Sequence, residues 1–360
     1  MLAPYACFAI KSKGGFYKEE KDPYRTCFQR DRDRIIHTNA FRRLKRKTQV
    51  FVANHGDHYR TRLTHSMEVA QISRDISRSL GLNEDLSESI ALAHDLGHTP
   101  FGHAGEHALN LCLKKFGESF EHNKQSLRIV TEIENRNDSY PGLNLSKEVI
   151  EGLGKHETPY DKIEKQNGAL SSLEAQVVNI ADEIAYLSHD LDDGMGANIL
   201  NIKDIKNLDL WKESISKVKN VNNKGAWVSR IAGSLIHIMV TDVYEETQIR
   251  LNKNNVKNFE DIAKCKVKII AFSKDFYDKK EILRKFLFNN FYKHPEIEVM
   301  NKKGQKIITS LFDFFLNNPK KLPDEYQKQI NERELYLILR DYIAGMTDDY
   351  ANEQYLKFTK

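Results

Sequence analysis

The stretch His94-Asp95-Leu96-Gly97-His98-Thr99-Pro100-Phe101-Gly102-His103-Ala104-Gly105-Glu106-His107 holds four of the chain's 13 histidines. Just before it, Ile90, Leu92 and Ala93 repeat at the spacing of a helix with one buried face, so His94 and Asp95 stand where that helix ends. Gly97 then frees the backbone to turn. A second helix follows from His103, and its register puts His103 and Glu106, three residues apart, on one face. The reading is therefore helix, tight loop, helix, with chemistry concentrated in the loop.

An imidazole and a carboxylate side by side at a helix end can converge on one cation, but two protein ligands rarely hold a divalent ion. His65 is available upstream, after Arg60-Thr61-Arg62-Leu63-Thr64, and Asp182 downstream in the helical segment 171–192. Two nitrogen and two oxygen donors suit one divalent metal ion (Mn²⁺, Mg²⁺, Fe²⁺, Co²⁺ or Ni²⁺) with open positions better than a closed structural Zn²⁺ site. Open positions imply bound water or substrate.

Around this stretch the composition is ordinary. The 360 residues carry 55 Lys+Arg against 51 Asp+Glu, a net of +4, and 40% are apolar. Only the histidines are uneven. Eight of them fall between residues 55 and 122, where even scatter would place about two or three. Eight Pro and 18 Gly favour long helices over a turn-rich β architecture. No apolar run approaches a bilayer span, Leu2 to Ile10 lacks the marks of a leader, and the four cysteines form no CxxC pair. A cytoplasmic protein is expected, with no membrane partner. The near balance of charge argues against a dedicated nucleic-acid protein.

Helices are predicted at about 63–80, 84–96, 103–116, 122–134, 146–154, 171–192, 204–219, 225–252, 275–293, 305–317 and 330–350. Asn83, Ser146 and Ser171-Ser172 stand as start signals for three of them. Residues 52–62 and 152–168 read as irregular connections, and the run 267–272 is the one strand candidate, although a buried helix edge would look the same. The fold class is all-α: a helical core with additional C-terminal helices, divided into an arm at 1–28, a catalytic core at 29–200 and a C-terminal helical region at 201–360.

Further words narrow the reading: Gln29-Arg30-Asp31-Arg32-Asp33-Arg34-Ile35-Ile36-His37, Ala40-Phe41-Arg42-Arg43-Leu44, Lys47-Thr48-Gln49-Val50-Phe51, Ser172-Leu173-Glu174-Ala175-Gln176 and Asp341-Tyr342-Ile343-Ala344-Gly345-Met346-Thr347-Asp348. Together with His65, His94-Asp95 and Asp182, this ordered set resembles the bacterial deoxyguanosinetriphosphate triphosphohydrolase-like (dNTPase) family of the HD-domain metal-dependent phosphohydrolases, from Pro4 to about Ala351. One departure is Ser12-Lys13-Gly14-Gly15, where the family commonly carries a more basic arm.

The resemblance implies hydrolysis of a deoxynucleoside triphosphate to deoxynucleoside and inorganic triphosphate, with the α-phosphorus attacked and its bond to the 5′ oxygen broken. Such a reaction asks for a cation at the α-phosphate, positive groups along the triphosphate and an acid for the leaving oxygen. On this reading His65, His94, Asp95 and Asp182 hold the metal, and His103 is the general acid/base with Glu106 as its partner. His98 and His122 contact phosphate, as does Arg62, three residues before His65. Tyr186 and Asp190 follow Asp182 at i+4 and i+8. By resemblance they meet the deoxyribose and its 3′-hydroxyl, with Gln49 nearby.

A homo-oligomer, hexamer or tetramer, is implied, with a dNTP effector or single-stranded DNA as candidate regulators. Two competing readings are an HD-domain nucleotide phosphatase of the 5′-nucleotidase type and a nucleic-acid-binding protein retaining the HD fold. The basic stretch 30–47, with eight Lys/Arg against Asp31 and Asp33, could bind nucleic acid, but its arginines are expected chiefly in ion pairs within the helix and at subunit contacts, with a few reaching nucleotide phosphates.

Overall fold

Apolar residues at helical spacing become 17 α-helices in the computed structural model, which describes residues 1–50, 59–155, 170–219 and 224–358. Among these residues the β pairing consists of one isolated bridge between Thr48 and Thr61, so the fold class is all-α. His55 and His58, with most of the expected connections 52–62 and 152–168, lie outside the described residues. No helix among the described residues is long and apolar enough to cross a membrane. The chain divides into two compact units. One comprises Met1–Ile35, His65–Leu92 and Asn144–His294; the other comprises Ile36–Thr64, Ala93–Leu143 and Pro295–Lys360.

The first unit is organised on helix Leu173–Gly196, nearly all of which is buried. Ser172 caps its start by accepting the Ala175 N–H at 3.2 Å, as its sequence position predicts. Glu174 and Gln176, in the first turns, then serve as buried acceptors. Glu174 Oε1 takes the backbone N–H groups of Cys7 (2.8 Å) and Asn83 (3.1 Å). Gln176 Oε1 takes those of Ile269 (2.9 Å) and Ile270 (3.2 Å). That second clasp corrects the strand expectation: the run 267–272 forms no strand, and its Ile269 and Ile270 N–H groups are tied to a side-chain oxygen rather than to a neighbouring strand. Helix Lys224–Lys253 packs along the same central helix. The segment 204–219 forms two short helices, Ile202–Ile205 and Asp209–Ser216, instead of one.

In the second unit, helix Pro295–Asn317 lies against helix Gly102–Lys114. Their buried faces (Leu109, Cys112, Leu113 with Ile308, Leu311, Phe312, Phe315) share a core with Ile338, Leu339 and Ile343. The expected helix 330–350 is broken into Leu335–Ala344 and Asp348–Phe358 around Gly345-Met346-Thr347.

Four arginines of the basic stretch are paired chiefly with carboxylates outside their own helix, where pairs within the helix were expected. Arg30 and Arg34 reach Glu19, Arg32 reaches Asp85 and Glu88, and Arg46 reaches Asp349. Asp31, between them on helix Cys27–Ile36, is 3% exposed and accepts the Ser146 N–H at 2.9 Å. Burial lifts its carboxyl to about 6, against the pull of Ser146 and Arg34, from an ordinary 3.8. Between those two values the folded chain holds a proton that the unfolded chain has lost, so this group's contribution to stability declines as pH rises through that window. Asp31→Asn keeps an oxygen for Ser146 and is expected to gain about 2–3 kcal/mol over the unaltered protein at pH 8, with little gain at pH 4. Denaturant midpoints at the two pH values check this; an equal gain at both would remove titration as the cause.

Candidate active site

Helix Glu84–Ala93 ends one residue before His94, and in the second unit the next helix begins at Gly102. The loop between them is held by backbone and side-chain anchors that local pattern does not announce. Ser126 Oγ donates to His94 O at 2.6 Å and accepts the Gly97 N–H at 2.8 Å. Gly97 permits this approach, since a Cβ there would lie 2.2 Å from His122 O and 2.3 Å from Ser126 N. Phe101 sits in the left-handed region at φ 62°, and its N–H is fixed by Asp348 Oδ1 at 2.9 Å. The other Asp348 oxygen accepts the Thr48 N–H at 3.0 Å and its hydroxyl. Lys47 Nζ donates to His98 O and, at 2.8 Å, to Ala344 O. Burial, with Arg43 and Arg62 close by, pulls this ammonium down to about 7. Three separated sequence words thus form one scaffold for the loop, and Lys47, Ser126 and Asp348 are scaffold positions to which sequence reasoning assigned no role.

Asp95 is the hub of the side chains on this scaffold. It is 3% exposed; Oδ1 stands 3.0 Å from His98 Nε2 and 3.4 Å from His94 Nε2, while Oδ2 accepts from Arg62 NH1 at 2.9 Å. Burial opposes its ionisation, but His94, Arg62 and His98 prevail and hold the carboxyl well below the usual range. His98 is held neutral by burial and by the repulsion of Arg62 and His122, against Asp95. Its ring stacks on that of His122 at 3.8 Å, and its Nδ1 is buried without a hydrogen-bond partner. Asp95, His98 and His122 offer ligand atoms within 4.8 Å of one another.

Glu106 lies nearer to His122 than to His103. It accepts the His122 N–H at 2.8 Å and faces His122 Nδ1 at 3.0 Å, with His103 Nδ1 at 3.4 Å. Burial works against the charge of Glu106, yet His122 and the bonds from both histidines keep it well below the ordinary carboxylate value. The His103 side chain is 58% exposed, and its ring centroid is 5.5 Å from that of His98. Gln49 belongs to this unit also, and its buried Oε1 has no hydrogen-bond partner.

In the first unit His65, on helix Arg62–Leu80, meets Asp182, on helix Leu173–Gly196, with Nε2 and Oδ1 3.0 Å apart. Tyr186 and Asp190 continue the buried face of the second helix, and Asp190 takes a hydrogen bond from the Tyr292 hydroxyl. His189 also approaches His65, a position that sequence reasoning missed although i+7 from Asp182 is two turns along. In each unit, imidazole nitrogens face ionisable carboxylates across 3.0–3.4 Å. Such donors fit a divalent cation such as Mg²⁺ or a first-row transition metal.

The fold and these donors define an HD-domain hydrolase. Residues 62–187 match the HD domain family, and residues 270–357 match the phosphohydrolase-associated domain. The chain belongs to the deoxyguanosinetriphosphate triphosphohydrolase-like family. It is 46% identical to the deoxyguanosinetriphosphate triphosphohydrolase-like protein of Leptospira interrogans serogroup Icterohaemorrhagiae serovar copenhageni, across 98% of this chain and 95% of that relative. Proteins of the same description from Geobacter sulfurreducens and Rickettsia felis are 42% and 43% identical, over 98% and 99% of this chain and 94% and 97% of theirs.

Proposed function

We propose that the protein is a divalent-metal-dependent dNTP triphosphohydrolase that releases deoxynucleoside and inorganic triphosphate. The observation that carries this reading is the buried hub at Asp95, whose carboxylate faces two imidazoles and a guanidinium. That is the donor set asked for where a cation and phosphate oxygens share one pocket.

His65, His94, Asp95 and Asp182 are assigned as the metal ligands. When bound, the cation supplies Lewis-acid polarisation of the α-phosphate and activation of water. His98, its unpartnered Nδ1 available, and His122 bind phosphate oxygens, while Arg62 adds fixed positive charge beside Asp95. His103 acts as general acid/base on the 5′ oxygen or the attacking water, with Glu106 orienting it and His122 together. Tyr186 packs on the deoxyribose, Asp190 meets the 3′-hydroxyl, and the free Gln49 Oε1 accepts from the nucleoside. We further infer a homo-oligomer in a reducing cytoplasm, which agrees with four unpaired cysteines.

The test is a product-resolved assay of the four dNTPs, singly and mixed, with Mn²⁺ or Mg²⁺. Deoxynucleoside plus triphosphate is the expected outcome. Monophosphate with pyrophosphate, or stepwise loss of phosphate, would sink the reading in favour of another nucleotide phosphatase.

A further inference from the structure

We propose that Asp341 is a positioning residue for the phosphate site: its carboxylate clamps helix His122–Arg128 and so holds His122, with His98 stacked on it, in place for phosphate oxygens. The inference rests on the assignment of those two histidines to phosphate and deepens it.

The clamp consists of four hydrogen bonds of ordinary length on one buried carboxylate. Asp341, on helix Leu335–Ala344, is 7% exposed. Its Oδ1 accepts from Gln125 Nε2 and from Arg340 Nε, each at 3.1 Å. Its Oδ2 accepts from Arg128 NH2 at 3.0 Å and from Arg333 NH2 at 2.7 Å. Each oxygen therefore serves one donor from helix His122–Arg128 and one from the chain around Asp341 itself. Burial opposes the charge, but Arg340, Arg128 and the bonds from Arg333 and Gln125 hold the carboxyl below its ordinary value. An ionised carboxylate accepts on both oxygens, which an amide cannot do.

What the clamp holds lies directly under the His94–Phe101 loop. Gln125 and Arg128 stand three and six residues after His122 on one short helix. Glu106 fixes the start of that helix by accepting the His122 N–H at 2.8 Å, and Asp341 fixes its later part. Between them Ser126 ties the helix to the loop through His94 O and the Gly97 N–H. At Gly97 loop and helix meet backbone to backbone, since a Cβ there would lie 2.2 Å from His122 O and 2.7 Å from the Gln125 carbonyl carbon. Packing this close transmits a displacement rather than absorbing it. A shift of helix His122–Arg128 thus moves His122 and disturbs the 3.8 Å stack with His98.

The hub contains its own control. Arg128 and Arg333 each give Oδ2 one bond and one positive charge, and their side chains are 24% and 33% exposed. Only Arg128 lies on the His122 helix. If Asp341 merely stabilises the fold, the two arginines are equivalent; if it positions His122, they are not.

Binding of inorganic triphosphate to the full chain with saturating Mn²⁺, measured by equilibrium dialysis beside the denaturant midpoint, tests the clamp. Arg128→Met is expected to weaken triphosphate binding about tenfold, and Gln125→Leu, which removes no charge, does the same. Arg333→Met leaves binding within about threefold of the unaltered protein, whatever it does to the midpoint. Asp341→Asn weakens binding about as much as Gln125→Leu, and combining those two costs little more. Unaltered binding in Arg128→Met or Gln125→Leu, equal weakening by Arg333→Met, or fully additive losses in the double variant overturns the clamp alone, provided that His122→Ala still weakens binding. If His122→Ala binds triphosphate as the unaltered protein does, or the unaltered protein binds none, the phosphate assignment falls and the clamp falls with it.

Discussion

Asp95→Asn is expected to abolish hydrolysis, by at least about a thousandfold, and to lower the stability of the metal-free protein by about 3–5 kcal/mol. Both effects come from one buried charge. With Oδ2 2.9 Å from Arg62 NH1 and Oδ1 3.0 Å from His98 Nε2, the carboxylate is the counterion of a guanidinium and faces the loop imidazoles. Asparagine is nearly isosteric, but it offers one oxygen where two are used. Its amide group would point N–H donors either at Arg62, itself only donors, or at His98 and His94. Either orientation leaves the 2% exposed Arg62 without its countercharge, and a buried ion pair broken on one side is costly for that reason.

The sign of the pH dependence follows from the same contacts. A carboxyl held well below 3.8 contributes stability at neutral pH that is lost only as pH falls through its folded value. The acid limb of the unfolding curve should therefore flatten in the variant. Urea unfolding from pH 2 to 7 and a single-turnover assay measure the two effects. A variant with the unaltered protein's midpoint, or with appreciable turnover, would show that Asp95 is not the hub.

What the sequence made legible, and what it did not, divides along the range of the contacts involved. Helix 63–80 and the helix break at His94 were readable because burial stripes and a glycine turn are local signals. His65 and Asp182 were singled out as residue types suited to one metal, aided by family words, and the fold brings them within 3.0 Å of each other. Lys47 was not found. Within a run of eight basic residues a lysine reads as solvated surface, and what buries this one is a pair of carbonyls at His98 and Ala344, 51 and 297 residues away. Asp348 hides in the same manner. Following Gly345-Met346-Thr347 it looks like a helix-start acid, yet it serves the left-handed turn at Phe101. The misread run 267–272 has the same origin, because its β-branched and apolar residues satisfy strand propensity while Gln176 supplies the acceptor a partner strand would have given. Glu106 was paired with His103 on i, i+3 spacing, whereas its shorter contacts go to His122, which no helical register relates to it.

That last difference separates two variants that a sequence reading would treat alike. His103→Gln is expected to lower turnover by about 10²–10⁴-fold, the usual worth of a positioned acid or base, while Mn²⁺ affinity and stability stay near their unaltered values. The side chain is 58% exposed and its approach to Glu106 is a long 3.4 Å, so a small effect on stability is expected. Glu106→Gln should behave differently. Its carboxylate accepts the His122 N–H at 2.8 Å and faces His122 Nδ1 at 3.0 Å, under burial that only an ionised acceptor with those partners offsets. An amide retains one acceptor oxygen but presents N–H groups to whichever contact it loses. Turnover should then fall together with the unfolding midpoint, by about 1–3 kcal/mol for the latter. The two variants are compared by kcat under saturating dNTP and Mn²⁺ and by chemical denaturation of the same samples. If His103→Gln retains turnover within about threefold of the unaltered enzyme, proton transfer belongs to another group, and the stacked pair His98 and His122 becomes the next place to look.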